Sequence, residues 1–278
     1  MIIPIRAEGR KPPLFLLHGN TGFMPIGTTF SRVLGPDQPV YIINAKGFDG
    51  SEPRETVAEM ASDYLADILS VTTTGPLVIV GQCWGTLIAL EVASELLNRG
   101  CEMGPLILID PPHVPFRKVP TEVTEETTRQ LYDYTRRTLL EMSDTWYLEL
   151  PFDANDAEQL HDAVITAMAS ITALSKFIPK PFFGSVELIL NAESVPPFFG
   201  QGKPWQRILA NPPVAHVLPY GHTEMLNNHR FDVGRLLGLI LQWNEGRGTA
   251  VEPTETGFDE QQSQPERMEQ GFSRMAGE

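Results

Sequence analysis

The stretch Gly81-Gln82-Cys83-Trp84-Gly85 limits the fold more than any other part of this chain. It lies between the apolar run Leu77-Val78-Ile79-Val80 and the helix-forming segment Thr86 to Ala93. Strand, tight turn and helix, with a nucleophilic side chain at the apex and a glycine two residues to either side, is the nucleophile-elbow pattern. The glycines are needed because the strained turn brings backbone so close that a Cβ would collide. Serine usually occupies the apex; here it is cysteine. Once acylated, such a residue carries a thioester and keeps much of that group's reactivity. A small buried cysteine after a core strand would share the same five residues, so the rest of the chain must supply the partners.

Short apolar runs recur at Leu14 to Leu17, Val40 to Asn44, Leu77 to Val80, Leu106 to Ile109, Val186 to Leu190 and Val214 to Leu218. Helical periodicity separates several of them. Val57, Met60, Ala61, Tyr64, Leu65 and Ile68 share one face, and Leu87, Leu90, Ala93 and Leu97 another. Near-continuous apolar strands alternating with helices predict a mostly parallel sheet covered on both faces. Its functional edge is the one formed by the carboxyl ends of the strands.

Between Pro111 and Pro181 the alternation stops and two helical patterns take over, from about Thr121 to Met142 and from about Asn155 to Ile178. Thr121 and Thr124 are cap candidates for the first; Leu160, Val164, Ala167, Met168, Ile171 and Leu174 stripe the second. An insertion directly after a functional strand is expected to form a lid, here about residues 112–180. The domain is expected to span 1–244. From Glu245 to Glu278 the chain holds eight acids against three arginines, with no apolar period, and reads as a disordered acidic tail.

The 278 residues carry a net charge of −14, which argues against nucleic acid as a partner because no basic footprint is present. No apolar run approaches membrane-spanning length, and Met1 to Arg6 is too short for a signal segment. The two cysteines, Cys83 and Cys101, imply no disulfide framework. A cytoplasmic protein without membrane partners is expected. No metal-ligand spacing is visible.

An elbow nucleophile needs a base, and the base needs a group that holds its tautomer. Asp110 ends the strand after the elbow, and Glu193 competes from the loop after Leu190; the lack of an aspartate in that loop favours Asp110. For the base, His222 in Tyr220-Gly221-His222-Thr223-Glu224 follows the last strand. His216 falls inside a strand, His161 in the lid and His229 at the last helix; His113 follows Asp110 too closely. His18 belongs to His18-Gly19-Asn20-Thr21-Gly22, whose small residues expose backbone N–H groups. The N–H of Asn20, with Thr21 as the alternative, and that of Trp84 are the expected oxyanion donors.

Taken together, these motifs resemble the thioesterase domains that terminate nonribosomal peptide synthetases and polyketide synthases, and their free-standing relatives. The likeness runs from about Ile3 to Trp243 and rests on Pro12 to His18, Gly75-Pro76-Leu77 before the elbow, Asp110, and Gly221 to Leu226. It implies an α/β-hydrolase fold. It also implies release of an acyl or peptidyl chain from the phosphopantetheine arm of an acyl or peptidyl carrier protein. Release would be by hydrolysis or by an attacking amine or hydroxyl, with no bound cofactor. Cys83 departs from the family's serine. A cysteine elbow also occurs in polyhydroxyalkanoate synthases and dienelactone hydrolases, so an acyltransferase or polyester-synthase-like enzyme is one alternative. A non-catalytic carrier-binding module is another. No carrier domain is visible, and the acidic tail would suit a natural C-terminus. Leu131, Tyr134 and Met168 are the expected substrate contacts, among lid residues that include Leu139, Trp146, Leu160 and Ile171. Arg117, Lys118, Arg136, Arg137 and Lys176 are candidate contacts for an acidic carrier.

Overall fold

The computed structural model describes residues 1–72, 75–112, 124–146, 150–194 and 205–247, with backbone alone at 144–146, 223, 227 and 245–247. His113, Arg117, Lys118, Thr121, the side chain of Trp146 and most of the expected tail lie outside that description.

The apolar runs form β1 (Ile2–Arg6), β2 (Leu14–Leu17), β3 (Val40–Ile43), β4 (Leu77–Gln82), β5 (Met103–Ile109), β6 (Val186–Asn191) and β7 (Val214–Leu218). They join in one sheet of order β1-β3-β2-β4-β5-β6-β7. Every neighbouring pair is parallel except β1 with β3. The strand β1 is an addition to the sequence reading: Pro4 interrupts its pattern. An edge strand tolerates a residue that offers no N–H to the ladder.

The helices are α1 (Gly27–Leu34), α2 (Val57–Val71), α3 (Gly85–Asn98), α4 (Glu125–Trp146), α5 (Ala157–Lys176), α6 (Trp205–Ile208), α7 (His222–Asn227) and α8 (Arg230–Arg247). Strand side chains alternate between two apolar layers. Phe15, Leu17, Ile79, Leu106 and Leu108 face α2 and α3. Leu14, Leu16, Val80, Ile107 and Ile109 face α1, α7 and α8. Both faces are covered, so the strands read as unbroken apolar runs. A capping box starts α2: Thr56 Oγ1 accepts from the Glu59 N–H at 3.2 Å, and Glu59 accepts from the Thr56 N–H at 3.1 Å. Losing such a cap costs about 1 kcal/mol.

Of the two inserted helices, α4 begins at Glu125 rather than near Thr121, and the Thr124 side chain accepts from the Thr127 N–H at 3.1 Å. Asp156 caps α5 by accepting from Glu158 and Gln159 N–H groups. Leu139, Leu160, Ala163, Val164 and Ala167 pack onto Phe23, Ala45 and Phe48, which lie in the loops after β2 and β3. The insertion is therefore seated over the carboxyl edge of the sheet. Between β2 and β4 the strand order changes direction, and it is at such a switch point that open α/β sheets place their sites. This is the α/β-hydrolase arrangement. Among the described residues no helix is long and apolar enough to cross a membrane.

Candidate active site

Cys83 stands at the end of β4 with φ 51°, in the left-handed region that a side chain enters at a cost. Its N–H donates to the Ile109 carbonyl at 2.8 Å, and its carbonyl accepts from the Thr86 hydroxyl at 2.7 Å and the Thr86 N–H at 3.1 Å. These bonds hold the turn. The flanking glycines have the reason that the sequence pattern implies. A Cβ on Gly85 would meet the His18 carbonyl oxygen at 1.8 Å, and one on Gly81 would meet Ala89 Cβ and Thr86 Cα at 2.7 Å. Trp84 immediately precedes α3.

Asp110 follows β5 and also has a positive φ, 46°. Its carboxylate is 3% exposed and accepts from His222 Nδ1–H. It also accepts from Ser194 Oγ at 2.8 Å and Asn191 Nδ2 at 2.7 Å. Burial pushes this carboxyl up, but the hydrogen bonds from His222, Ser194 and Asn191, with the His222 charge, outweigh it. The net direction is downward, so the group is held ionised. His222 is pulled up from 6.5 to about 10, first by its bond to Asp110 and next by one to Cys83; burial works against both. With Nδ1 on Asp110, Nε2 is the ring nitrogen left for the thiol. The structure thus brings Cys83, His222 and Asp110 into one chain of contacts. Glu193 is exposed, and its N–H is bound by the Asn191 side chain at 2.9 Å.

The other described histidines are occupied elsewhere. His216 pairs with Glu187 at 2.8 Å, His161 meets the Tyr132 hydroxyl at 3.0 Å, and His229 stacks on Tyr220. His18 is fully buried: Nδ1–H donates to the Gly19 carbonyl at 2.6 Å, so Nε2 is the acceptor for the Tyr64 hydroxyl at 2.5 Å. Burial drives its pKa down to about 4, which keeps the ring neutral. Asn20 and Thr21 are half-buried beside it. In the insertion, Leu131 and Met168 are half-buried, Tyr134 is 53% exposed, and Arg136, Arg137 and Lys176 face solvent.

Sequence reasoning missed Asn191, Ser194 and Tyr64. An amide and a hydroxyl in the loop after β6 look like ordinary turn residues in the sequence, although parallel strand ends place that loop beside Asp110. Tyr64 was legible only as an apolar position of α2.

The model of the thioesterase domain family matches residues 12–243. The nonribosomal peptide synthetase apvA of Aspergillus terreus is 34% identical over 118 residues, 42% of this chain and 13% of that protein. Malpibaldin synthetase of Mortierella alpina is 36% identical over 110 residues, 39% of this chain and 2% of that protein. The matches thus span small fractions of those relatives. Among solved structures, the NocB thioesterase domain in covalent complex with a fluorophosphonate nocardicin G analog superposes with a TM-score of 0.67. That likeness covers 86% of this chain and 99% of the domain at 21% identity, and it concerns the fold. With one family model matching most of its length and the fold in agreement, the chain belongs to the thioesterase domain family.

Proposed function

We propose that this domain takes an acyl or peptidyl chain from a phosphopantetheine thioester on a carrier protein onto Cys83 and then releases it, as a step of natural-product assembly. The observation that carries the reading is a thiol at a strained elbow apex, in line with a histidine that is itself held by a buried carboxylate. An ordinary thiol gives up its proton near ~8.5. His222, raised first by its bond to Asp110, is the base within reach of that proton, and its uptake leaves sulfur as the nucleophile. Sγ attacks the thioester carbonyl, the carbonyl π pair moves to oxygen, and the tetrahedral intermediate expels the pantetheine thiolate. That thiolate takes the proton from His222 Nε2. Asp110 holds Nδ1–H throughout and stabilises the imidazolium.

The oxyanion donors in this reading are the N–H groups of Asn20 and Trp84. The Gly19 carbonyl is turned onto His18 Nδ1–H. Across a planar trans peptide the Asn20 N–H points the opposite way, off the buried ring. The Trp84 N–H lies at the start of α3, where the helix dipole favours negative charge.

Cys83 also favours acyl transfer as an outcome beside hydrolysis. One thioester is exchanged for another at little cost, and the acyl-enzyme stays reactive toward an amine or hydroxyl. Water and such acceptors compete under a lid formed by α4 and α5, with Leu131, Tyr134 and Met168 as its substrate contacts. Arg136, Arg137 and Lys176 offer charge to an acidic carrier. No bound cofactor enters this scheme, since phosphopantetheine arrives with the substrate.

Intact-mass analysis with acyl N-acetylcysteamine thioesters tests the assignment. The expected result is one acyl adduct on the wild type and none on Cys83→Ala. An adduct that persists in Cys83→Ala rules the nucleophile out, and absence of turnover with every thioester tried revives a binding-only role. The product mixture with and without added amine separates transfer from hydrolysis.

A further inference from the structure

Besides His222, two side chains from one turn close around the carboxylate of Asp110. Ser194 Oγ–H donates to Oδ1 at 2.8 Å, and Asn191 contributes its Nδ2–H to Oδ2 at 2.7 Å and its backbone N–H to Oδ1 at 3.4 Å. With His222 on Oδ2, every lone-pair direction of the carboxylate is used. Asn191 is itself held in one orientation. Its Oδ1 accepts from the N–H groups of Glu193 at 2.9 Å and Ser194 at 3.0 Å. A flipped amide would lose both bonds and turn its oxygen onto the carboxylate. Its Nδ2 also donates to Ser194 Oγ at 2.6 Å, so the serine proton is left for Asp110. All three side chains are buried, at 3% exposure each. Such a closed set of bonds has a direction: each donor serves to keep Asp110 ionised and aimed.

We propose that Asn191 and Ser194 are positioning residues that set the charge and aim of Asp110 toward His222, and that position 191, at the end of β6, must be a donor for the pair to work. This rests on the reading of Asp110, His222 and Cys83 as the catalytic set. The register supports it. Ile109 is opposite Ile189 in the parallel pair, so the residues following the two strands share the same edge of the sheet. A carboxylate at 191 would sit against Asp110, and two carboxylates sharing one site cannot both ionise easily. Other charged groups nearby do not substitute for this control. Glu193 on the same turn is exposed, Glu224 of α7 is turned back onto the Gly221 N–H, and Glu187 of β6 is paired with His216.

The test follows alkylation of Cys83 by iodoacetamide against pH, read by intact mass in a Cys101→Ala background so that one thiol is counted. Ser194→Ala is expected to slow alkylation at neutral pH about tenfold, as loss of a hydrogen bond to a charged group predicts. Ser194→Thr, which restores the hydroxyl, is expected to recover it. Asn191→Asp is expected to move the acid limb of the profile up by about one pH unit or more. If Ser194→Ala and Asn191→Asp both keep the wild-type rate and profile, the proposal is overturned. Should Asn191→Asp fail to fold, the Ser194 pair decides alone: equal rates in Ser194→Ala and Ser194→Thr overturn it. His222→Ala separates this inference from its parent. Alkylation indifferent to His222 sinks the catalytic set itself. Alkylation that depends on His222 but ignores Ser194 and Asn191 sinks only the positioning role.

Discussion

Gly85→Ala is the sharpest perturbation that the elbow offers. A Cβ at this position would lie 1.8 Å from the His18 carbonyl oxygen and 2.7 Å from its carbonyl carbon. To reach the 3.0 Å floor for such contacts, the two backbones must part by at least about 1.2 Å. Neither side yields cheaply. Gly85 opens the buried helix α3, and His18 is fixed through its ring to Gly19 and Tyr64. Overpacking of this kind costs about 1–3 kcal/mol, and more where backbone has to move. The functional loss should be larger in proportion, because a displacement near 1 Å at a reacting group costs about 100-fold. Gly100→Ala is the control. It has φ +74° and open space around it, so only backbone strain of about 1 kcal/mol is expected, with acylation untouched. Urea denaturation and the rate of acyl-enzyme formation are measured side by side. If Gly85→Ala acylates at the wild-type rate with an unshifted urea midpoint, the close approach of α3 to the β2 loop is not what makes glycine necessary.

Two further perturbations test the electrostatics around the elbow. Tyr64→Phe leaves the buried Nε2 of His18 without its donor, so stability should fall by about 1–3 kcal/mol in urea titration. Acylation should slow as well, because the Gly19 peptide loses its anchor. An unchanged urea midpoint would show that the Tyr64 bond contributes nothing. The His222–Asp110 pair gives stability a defined pH dependence. Since the folded pKa of His222 is raised to about 10, its contribution is full below about 6.5 and is lost as pH rises through about 10. Asp110 is lowered, so its share is present above the ordinary carboxylate range and is lost as pH falls through its folded value. His222→Gln should therefore be less stable than wild type by about 1–2 kcal/mol at pH 6, a figure reduced for a ring that is nearly half exposed. The gap should close toward pH 10; a gap that widens with pH refutes the assigned direction.

The parts of the fold that were legible in the sequence are those where one physical demand acts alone. Leu14 to Leu17 and Leu77 to Val80 are apolar throughout because two helical layers cover them, and they read correctly as parallel strands. The elbow was legible because sterics leave glycine as the residue that fits at 81 and 85. β1 was hidden because Pro4 and Arg6 break its alternation, and its place at the sheet edge is a tertiary fact. α1 was hidden because Gly27-Thr28-Thr29 has poor helix propensity and no side-chain cap; its packing against α8 supplies what local sequence does not. At the site, Cys83, Asp110 and His222 could be ordered along the chain, since each follows a strand. The bonds of Asn191 and Ser194 to Asp110 could not be read, because an amide or hydroxyl after a strand looks like any turn residue until the neighbouring strand's end is known.

The two strained residues of the site are pinned by the same device. Cys83, with φ 51°, gives its N–H to Ile109 at the end of β5; Asp110, with φ 46°, gives its own to Ile189 near the end of β6. Each strand thus extends its ladder by one bond beyond its neighbour's last paired residue and holds that neighbour's turned residue in place. Gln82 is opposite Ile109, and Ile109 is opposite Ile189, so the register passes from β4 through β5 to β6 without a gap. A left-handed side chain costs roughly 1–3 kcal/mol, and a single ladder bond returns about 1 kcal/mol, so the bond alone does not sustain the strain. Side-chain bonds make up the difference: the Thr86 hydroxyl on the Cys83 carbonyl, and the donors of Asn191 and Ser194 on Asp110. By this reasoning a slip of one residue between β5 and β6 would do more than expose apolar side chains. It would move Asp110 off the turn that carries its donors, and His222 would face a carboxylate with neither a fixed aim nor a fixed charge.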